Sequence, residues 1–110
     1  MDSRAPLVIT VLTTAPDQET AERLGRTLVE ERLVACVSVV PGMTSIYRWE
    51  GTLRHEAEIL MILKTTPEAL RNVVTRLDEL HPYAVPEVLA LPVSRGAESF
   101  LEWVRSEVGA

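Results

Sequence analysis

Few residues in this chain could do chemistry, and their spacing narrows what that chemistry could be. There is one cysteine, Cys36, and there are two histidines, His55 and His81. Covalent catalysis therefore has almost no partners from which to build a nucleophile and its base. Cys36 lies in the apolar run 34–40, where a small buried thiol is the usual occupant, and one thiol makes neither an internal disulfide nor a thiolate cage. His55 stands in Arg54-His55-Glu56 with nothing at metal-ligand spacing beside it, the setting of a solvated turn histidine. His81 ends a helical pattern, beside Pro82-Tyr83 and near Glu87, where the helix dipole favours a protonated imidazole. A helix cap and a binding role are equally open for it. The five glycines form neither GxGxxG nor GxxxxGK[ST], which excludes the phosphate cradles those motifs build.

A second group of residues is defined by strand alternation. Glu58, Leu60, Ile62 and Lys64 fall on one side of a strand, Ala57, Ile59, Met61 and Leu63 on the other. Two charges thus interrupt an apolar face. Six residues of strand separate them by roughly 20 Å, so they cannot pair with each other and need partners elsewhere. A structural ion pair across a subunit interface and a ligand-binding role are both open. Tyr47, Trp49 and Tyr83 sit at strand ends or in loops, as interface anchors or as surfaces for ligand stacking.

The elements that must position these residues follow from periodicity. Residues 7–12 are a short β-branched apolar run, the pattern of a central strand. Thr14, Pro16, Asp17 and Glu19 open a helix whose apolar stripe is Ala21, Leu24, Leu28 and Val29. A strand over 34–49, interrupted by Pro41-Gly42, turns at Glu50-Gly51 into a third strand over 52–65. Thr66-Pro67-Glu68 starts a second helix carrying Leu70, Val73, Val74, Leu77 and Leu80, stopped by His81-Pro82. A fourth strand covers 88–93, and a terminal helix presents Ala97, Phe100, Leu101, Val104 and Val108 on one face.

The order βαββαβ plus a helix predicts an α+β, ferredoxin-like sandwich with an extra C-terminal helix. Each arm of the central hairpin approaches roughly 45 Å, more than one small domain can cover. Its apolar tip (Ile46, Tyr47, Trp49, Leu53) therefore points to self-association, unless Pro41-Gly42 folds the arm back on its own sheet.

Composition sets the outer limits. A chain of 110 residues, 46% hydrophobic and 25% charged, holds one packed core, so residues 1–110 are read as a single domain. A net charge of -5 without a basic cluster excludes a nucleic-acid surface. No run nears the roughly 20 apolar residues of a membrane span, and residues 7–12 are too short for a signal-peptide core. With a lone cysteine, a reducing cytoplasm is the expected location.

Several segments, taken together, resemble one family. They are Val11-Leu12-Thr13-Thr14-Ala15-Pro16-Asp17, Leu33-Val34-Ala35-Cys36-Val37, Pro41-Gly42 through Tyr47-Arg48-Trp49-Glu50-Gly51, Glu58-Ile59-Leu60-Met61-Ile62-Leu63-Lys64-Thr65 and His81-Pro82-Tyr83-Ala84-Val85-Pro86-Glu87. In this order, over nearly the whole chain, they are similar to the CutA family of divalent-cation tolerance proteins.

The resemblance implies a tight homotrimer, PII-like in architecture, in which the long hairpins pair between subunits. It also implies intersubunit clefts lined by Tyr47, Trp49, Glu58, Lys64, His81, Tyr83 and Glu87. Copper-binding members similar to this chain use a cysteine near the end of the first strand and two adjacent histidines, where this chain has Thr13 and Leu80-His81. A soft ion is poorly served by one imidazole and a hydroxyl. The expectation is therefore a non-enzymatic trimeric binding or sensor protein in the response to divalent metal ions such as copper. It has no obligatory cofactor, and weak Cu or Zn binding rests on His81 with carboxylates such as Glu87. The alternatives are a PII-like sensor of a polar metabolite in the cleft and a structural trimer scaffold.

Overall fold

The computed structural model describes residues 6–109. Four strands, β1 (Ile9–Ala15), β2 (Cys36–Trp49), β3 (Thr52–Thr65) and β4 (Leu89–Pro92), form one sheet of order β2-β3-β1-β4. Every neighbouring pair is antiparallel. The helices are α1 (Gln18–Glu30), α2 (Leu70–Leu80) and α3 (Glu98–Glu107). This is the split βαβ arrangement that the element order predicts, because each crossover returns one strand away with another strand laid between.

Local chemistry sets the helix ends. Asp17 caps α1 by accepting the Thr20 N–H at 2.8 Å, satisfying an amide that lacks an intrahelical partner. Thr66 caps a single 3-10 turn, Pro67–Ala69, which leads into α2. At the other end of α2, Pro82 forces His81 out of helical geometry (φ −76°, ψ 137°), since a residue before proline is pushed to extended backbone. That turn sends the His81 ring back toward the sheet.

One face of the sheet carries the core. Val11 and Ala15 of β1 and Met61 and Leu63 of β3 are closed off by Ala21, Leu24 and Leu28 of α1 and by Val73 and Leu77 of α2. Each fully buried large apolar side chain contributes about 1.5–3 kcal/mol. A smaller cluster joins Val8, Ala35 and Val104 under α3, where the Arg105 guanidinium donates to the Leu7 carbonyl at 2.6 Å. Arg76 of α2 forks onto the Glu31 carboxylate at 2.8 and 2.9 Å, tying the second helix to the end of the first.

Thr13 is fully buried in this layer, and its hydroxyl lacks a hydrogen-bond partner. An unsatisfied buried hydroxyl costs about 1–3 kcal/mol. Thr13→Val, which keeps the shape, is therefore expected to raise stability by about 1 kcal/mol, read as a later midpoint in urea at unchanged slope.

Several expected boundaries move. The first strand runs Ile9–Ala15, not 7–12; the second starts at Cys36, and the fourth is only Leu89–Pro92. The polar pair Thr13-Thr14 extends the first strand because β3 supplies its ladder partners, Met61 and Leu60, whichever side chains it carries. Val29 and Phe100, expected on core-facing stripes, are 39% and 45% exposed. Phe100 instead pairs with Trp103, ring centroids 5.7 Å apart, on the outer face of α3. Cys36, expected buried, is partly exposed and opposes Lys64.

The arm is not folded back at Pro41-Gly42. Pairing is interrupted between Val40, opposite Leu60, and Met43, opposite Glu58, and resumes out to Trp49 opposite Thr52. One extra residue on β2 makes a bulge, and Gly42 sits there at φ +85°, a conformation glycine adopts without penalty. Continuing the ladder of 36–40 without the bulge would oppose Trp49 to Gly51, leaving one residue to turn the chain. With it, Glu50-Gly51 forms a two-residue turn with both φ positive, the geometry that matches strand twist.

Candidate functional site

The bulge also decides which side chains share a face. Directly paired residues lie on the same side of a sheet. Before the bulge, Cys36, Ser38 and Val40 share the face of Lys64, Ile62 and Leu60. After it, Met43, Ser45, Tyr47 and Trp49 share the face of Glu58, Glu56, Arg54 and Thr52. Tyr47 and Trp49 therefore stand on the same face as Glu58. This is the face away from α1 and α2.

Three of the expected site residues meet directly. The Tyr83 phenol donates to Glu58 Oε2 at 2.7 Å. The Tyr83 backbone N–H donates to His81 Nδ1 at 3.1 Å, and the two rings lie 4.7 Å apart at 46°. His81 Nε2 lies 2.7 Å from the Thr14 carbonyl oxygen. β4 begins opposite Leu12, so this ring serves a backbone carbonyl just past that end of the β1–β4 ladder. Glu58 and His81 are each 8% exposed. Glu58 has a phenol where an ion pair was one expectation, and it has no ion pair among the described residues.

Electrostatics tie Tyr47 to the same group. Partial desolvation, then the Glu56 and Glu58 carboxylates, push its phenol above the ordinary tyrosine range. For Tyr83, burial is the largest cause of an upward shift, followed by its hydrogen bond to Glu58 and the charge there. A tyrosine pKa raised by folding contributes stability that is complete below the unfolded value, about 10, and lost as pH rises through the folded value. Alkaline unfolding should accordingly be less steep in Tyr83→Phe than in the parent, measured by circular dichroism from about pH 9 upward.

The remaining expected residues lie apart within one chain. Lys64 opposes Thr10 and Cys36, six residues along β3 from Glu58 and roughly 20 Å away. Trp49 is as far in the other direction, opposite Thr52. Glu87 is exposed in the loop before β4. Sequence reasoning missed Glu56 and the Thr14 carbonyl. Glu56 was readable as the i−2 neighbour of Glu58 on one strand face; the carbonyl carried no sequence signal.

Among the described residues no three of His, Cys, Asp and Glu come together as a metal site. Both His81 nitrogens are engaged, so the residues present do not fit a metal at this position. Much of the rest of the sheet face is apolar, broken by Thr10, Ser38 and Lys64: Leu12, Leu60 and Ile62 are partly exposed, and Val40, Leu89 and Leu91 are 41%, 55% and 47% exposed.

Residues 9–107 match the family model of the CutA1 divalent ion tolerance protein. The chain belongs to the CutA1 family. It is similar to the divalent-cation tolerance protein CutA of Thermus thermophilus, 48% identical over 99 residues that cover 90% of this chain and 96% of that one. The solved Thermus structure superposes with a TM-score of 0.91 at 46% identity, covering 94% of this chain and 100% of that one. CutA1 from Oryza sativa also gives 0.91, at 38% identity over 98% of both chains. CutA from Archaeoglobus fulgidus, described as periplasmic, gives 0.90 at 35% identity over 94% of this chain and 100% of that one. This CutA1 chain is therefore a divalent-cation tolerance protein in an α+β fold with a four-stranded antiparallel sheet. None of its described helices is long and apolar enough to cross a membrane.

Proposed function

We propose that this chain works as a non-enzymatic homotrimer, PII-like in its assembly, that binds or senses a ligand in the cytoplasmic response to divalent metal ions such as copper. The observation that carries the assembly is the uncovered apolar sheet face. It lies beside a hairpin whose 14-residue arms extend past the helix layer. A largely apolar exposed surface of this kind on a small domain marks an interaction site. The candidate ligand site is the cleft between subunits, with Tyr47, Trp49, Glu58, Lys64, His81, Tyr83 and Glu87 as its lining. No cofactor is obligatory, nucleic acid and membrane are not partners, and Cu or Zn binds weakly.

One observation favours a second reading, a polar metabolite in that cleft. Glu58, Tyr83 and Tyr47 offer a nearly buried carboxylate and two phenols on one face, while the metal-ligand constellation is lacking among the described residues. Hydrogen-bonding groups set in an apolar surround are the makeup of a small-molecule site.

Native mass spectrometry of the purified protein, titrated with Cu(II) and Zn(II), tests both. Trimers that take up ions in multiples of three support the metal reading. Trimers that stay metal-free, but whose melting is raised by metabolites, support the second by mass action. A monomer sinks the assembly and the cleft with it.

A further inference from the structure

His81 is the only histidine in the candidate site, and its surroundings fix its protonation pattern twice over. A backbone N–H can only donate, so the Tyr83 amide at 3.1 Å requires an unprotonated Nδ1. A backbone carbonyl can only accept, so Thr14 O at 2.7 Å requires a proton on Nε2. Both constraints select the same neutral tautomer. Its one lone pair is already used. A metal at Nδ1 would have to displace the Tyr83 amide. A metal at Nε2, bound at about 2.0–2.1 Å, would need the space between that nitrogen and a carbonyl oxygen 2.7 Å away.

The neighbours give no help. Thr13 is fully buried in the helix-covered layer, and Leu80 packs against the same core. Neither supplies an anionic ligand to replace the hydration a cation would lose there. We infer that His81 in this chain is a hydrogen-bonding strut that positions Tyr83, and through the Tyr83 phenol the Glu58 carboxylate, and that it does not ligate metal. Any ion the protein takes up is held elsewhere. The inference stands or falls separately from the metal-response reading, because it concerns one imidazole and not total uptake.

The test is imidazole nitrogen NMR on the whole protein during a Zn(II) titration, with exposed His55 as the internal reference. His81 is expected to show the Nε2–H neutral pattern and to stay in place through excess Zn(II). A saturable shift of a His81 nitrogen to a metal-bound position, with loss of the Tyr83 amide bond, would overturn the inference. Two substitutions test positioning. His81→Asn keeps an acceptor for the Tyr83 amide, and His81→Ala does not. Tyr83 amide exchange should quicken about two- to tenfold in His81→Ala, and the Glu58 carboxyl carbon resonance should move; both should return in His81→Asn. An unmoved Glu58 resonance in His81→Ala defeats the positioning role. Thr13→Cys supplies a thiolate source without opening the core, so zinc uptake by native mass spectrometry should not change. A gain that disappears on adding His81→Ala would refute the assignment.

Discussion

Ile62→Asp is expected to convert the proposed trimer to monomer in native mass spectrometry while leaving the circular dichroism of the subunit intact. Ile62 stands in the middle of the uncovered face, in a row with Ser38, Leu12 and Leu89 across the sheet. In one subunit this position is only partly buried, so an aspartate there keeps water and the fold tolerates it. Inside a subunit interface the same carboxylate would be stripped of water with no cation opposite. An uncompensated buried charge costs about 3–5 kcal/mol. At about 1.4 kcal/mol per factor of ten, that is a loss of two orders of magnitude or more in affinity per subunit. Ile62→Val, which trims one methylene, should leave a trimer. If Ile62→Asp stays trimeric, the interface lies on another surface. If it unfolds, Leu89→Asp at the more exposed edge of the same row distinguishes a folding effect from an assembly effect.

Gly42→Val is expected to disrupt the outer hairpin and separate the two tyrosines. At φ +85° a β-branched residue is strained by about 1–2 kcal/mol or more. A Cβ at this position meets nothing within 4 Å, so the penalty is confined to the backbone. Relief requires losing the bulge, and a ladder without the bulge opposes Trp49 to Gly51 and cannot close its turn. Tyr47 then leaves the face of Glu56 and Glu58. The chain has only two tyrosines, so an ultraviolet titration resolves the outcome. In the parent both phenols ionise above the ordinary range. In Gly42→Val, Tyr47 should return to about 10 while Tyr83 stays high. Deleting Gly42 is the informative control, because it removes the extra residue and leaves Met43 opposite Glu58, so Tyr47 keeps its face and its shift. An unchanged Tyr47 titration in Gly42→Val would show that the bulge is not what places this ring.

Most of the fold was legible in the residues because it rests on local patterns. The apolar steps of three and four in α1 and α2, the alternation through β3 and the proline after His81 each act within a few residues. The third strand was read at its observed bounds, 52–65, since Glu50-Gly51 and Thr66-Pro67 punctuate both ends. The first strand was placed early because Thr13 and Thr14 lack the apolar signal. They are in the ladder on account of β3, which lies some 45 residues away in sequence. Phe100 was placed inward by spacing alone, and the packing of α3 turned it outward.

The candidate site divides in the same way. Strand alternation alone places Glu58 and Lys64 as interruptions of an apolar face. Residue order and type also show that His81 and Tyr83 leave a helix end together, and that no phosphate cradle or nucleophile–base set is available. The packed chain is needed to see that Glu58 is bound by a phenol, that Tyr47 and Trp49 join its face through a one-residue bulge, and that both His81 nitrogens are spent on backbone groups. The physical reason is range. Periodicity and turn chemistry act over a handful of residues, whereas a hydrogen bond from position 81 to the carbonyl of position 14 exists only once the crossovers have brought β1 and the end of α2 together.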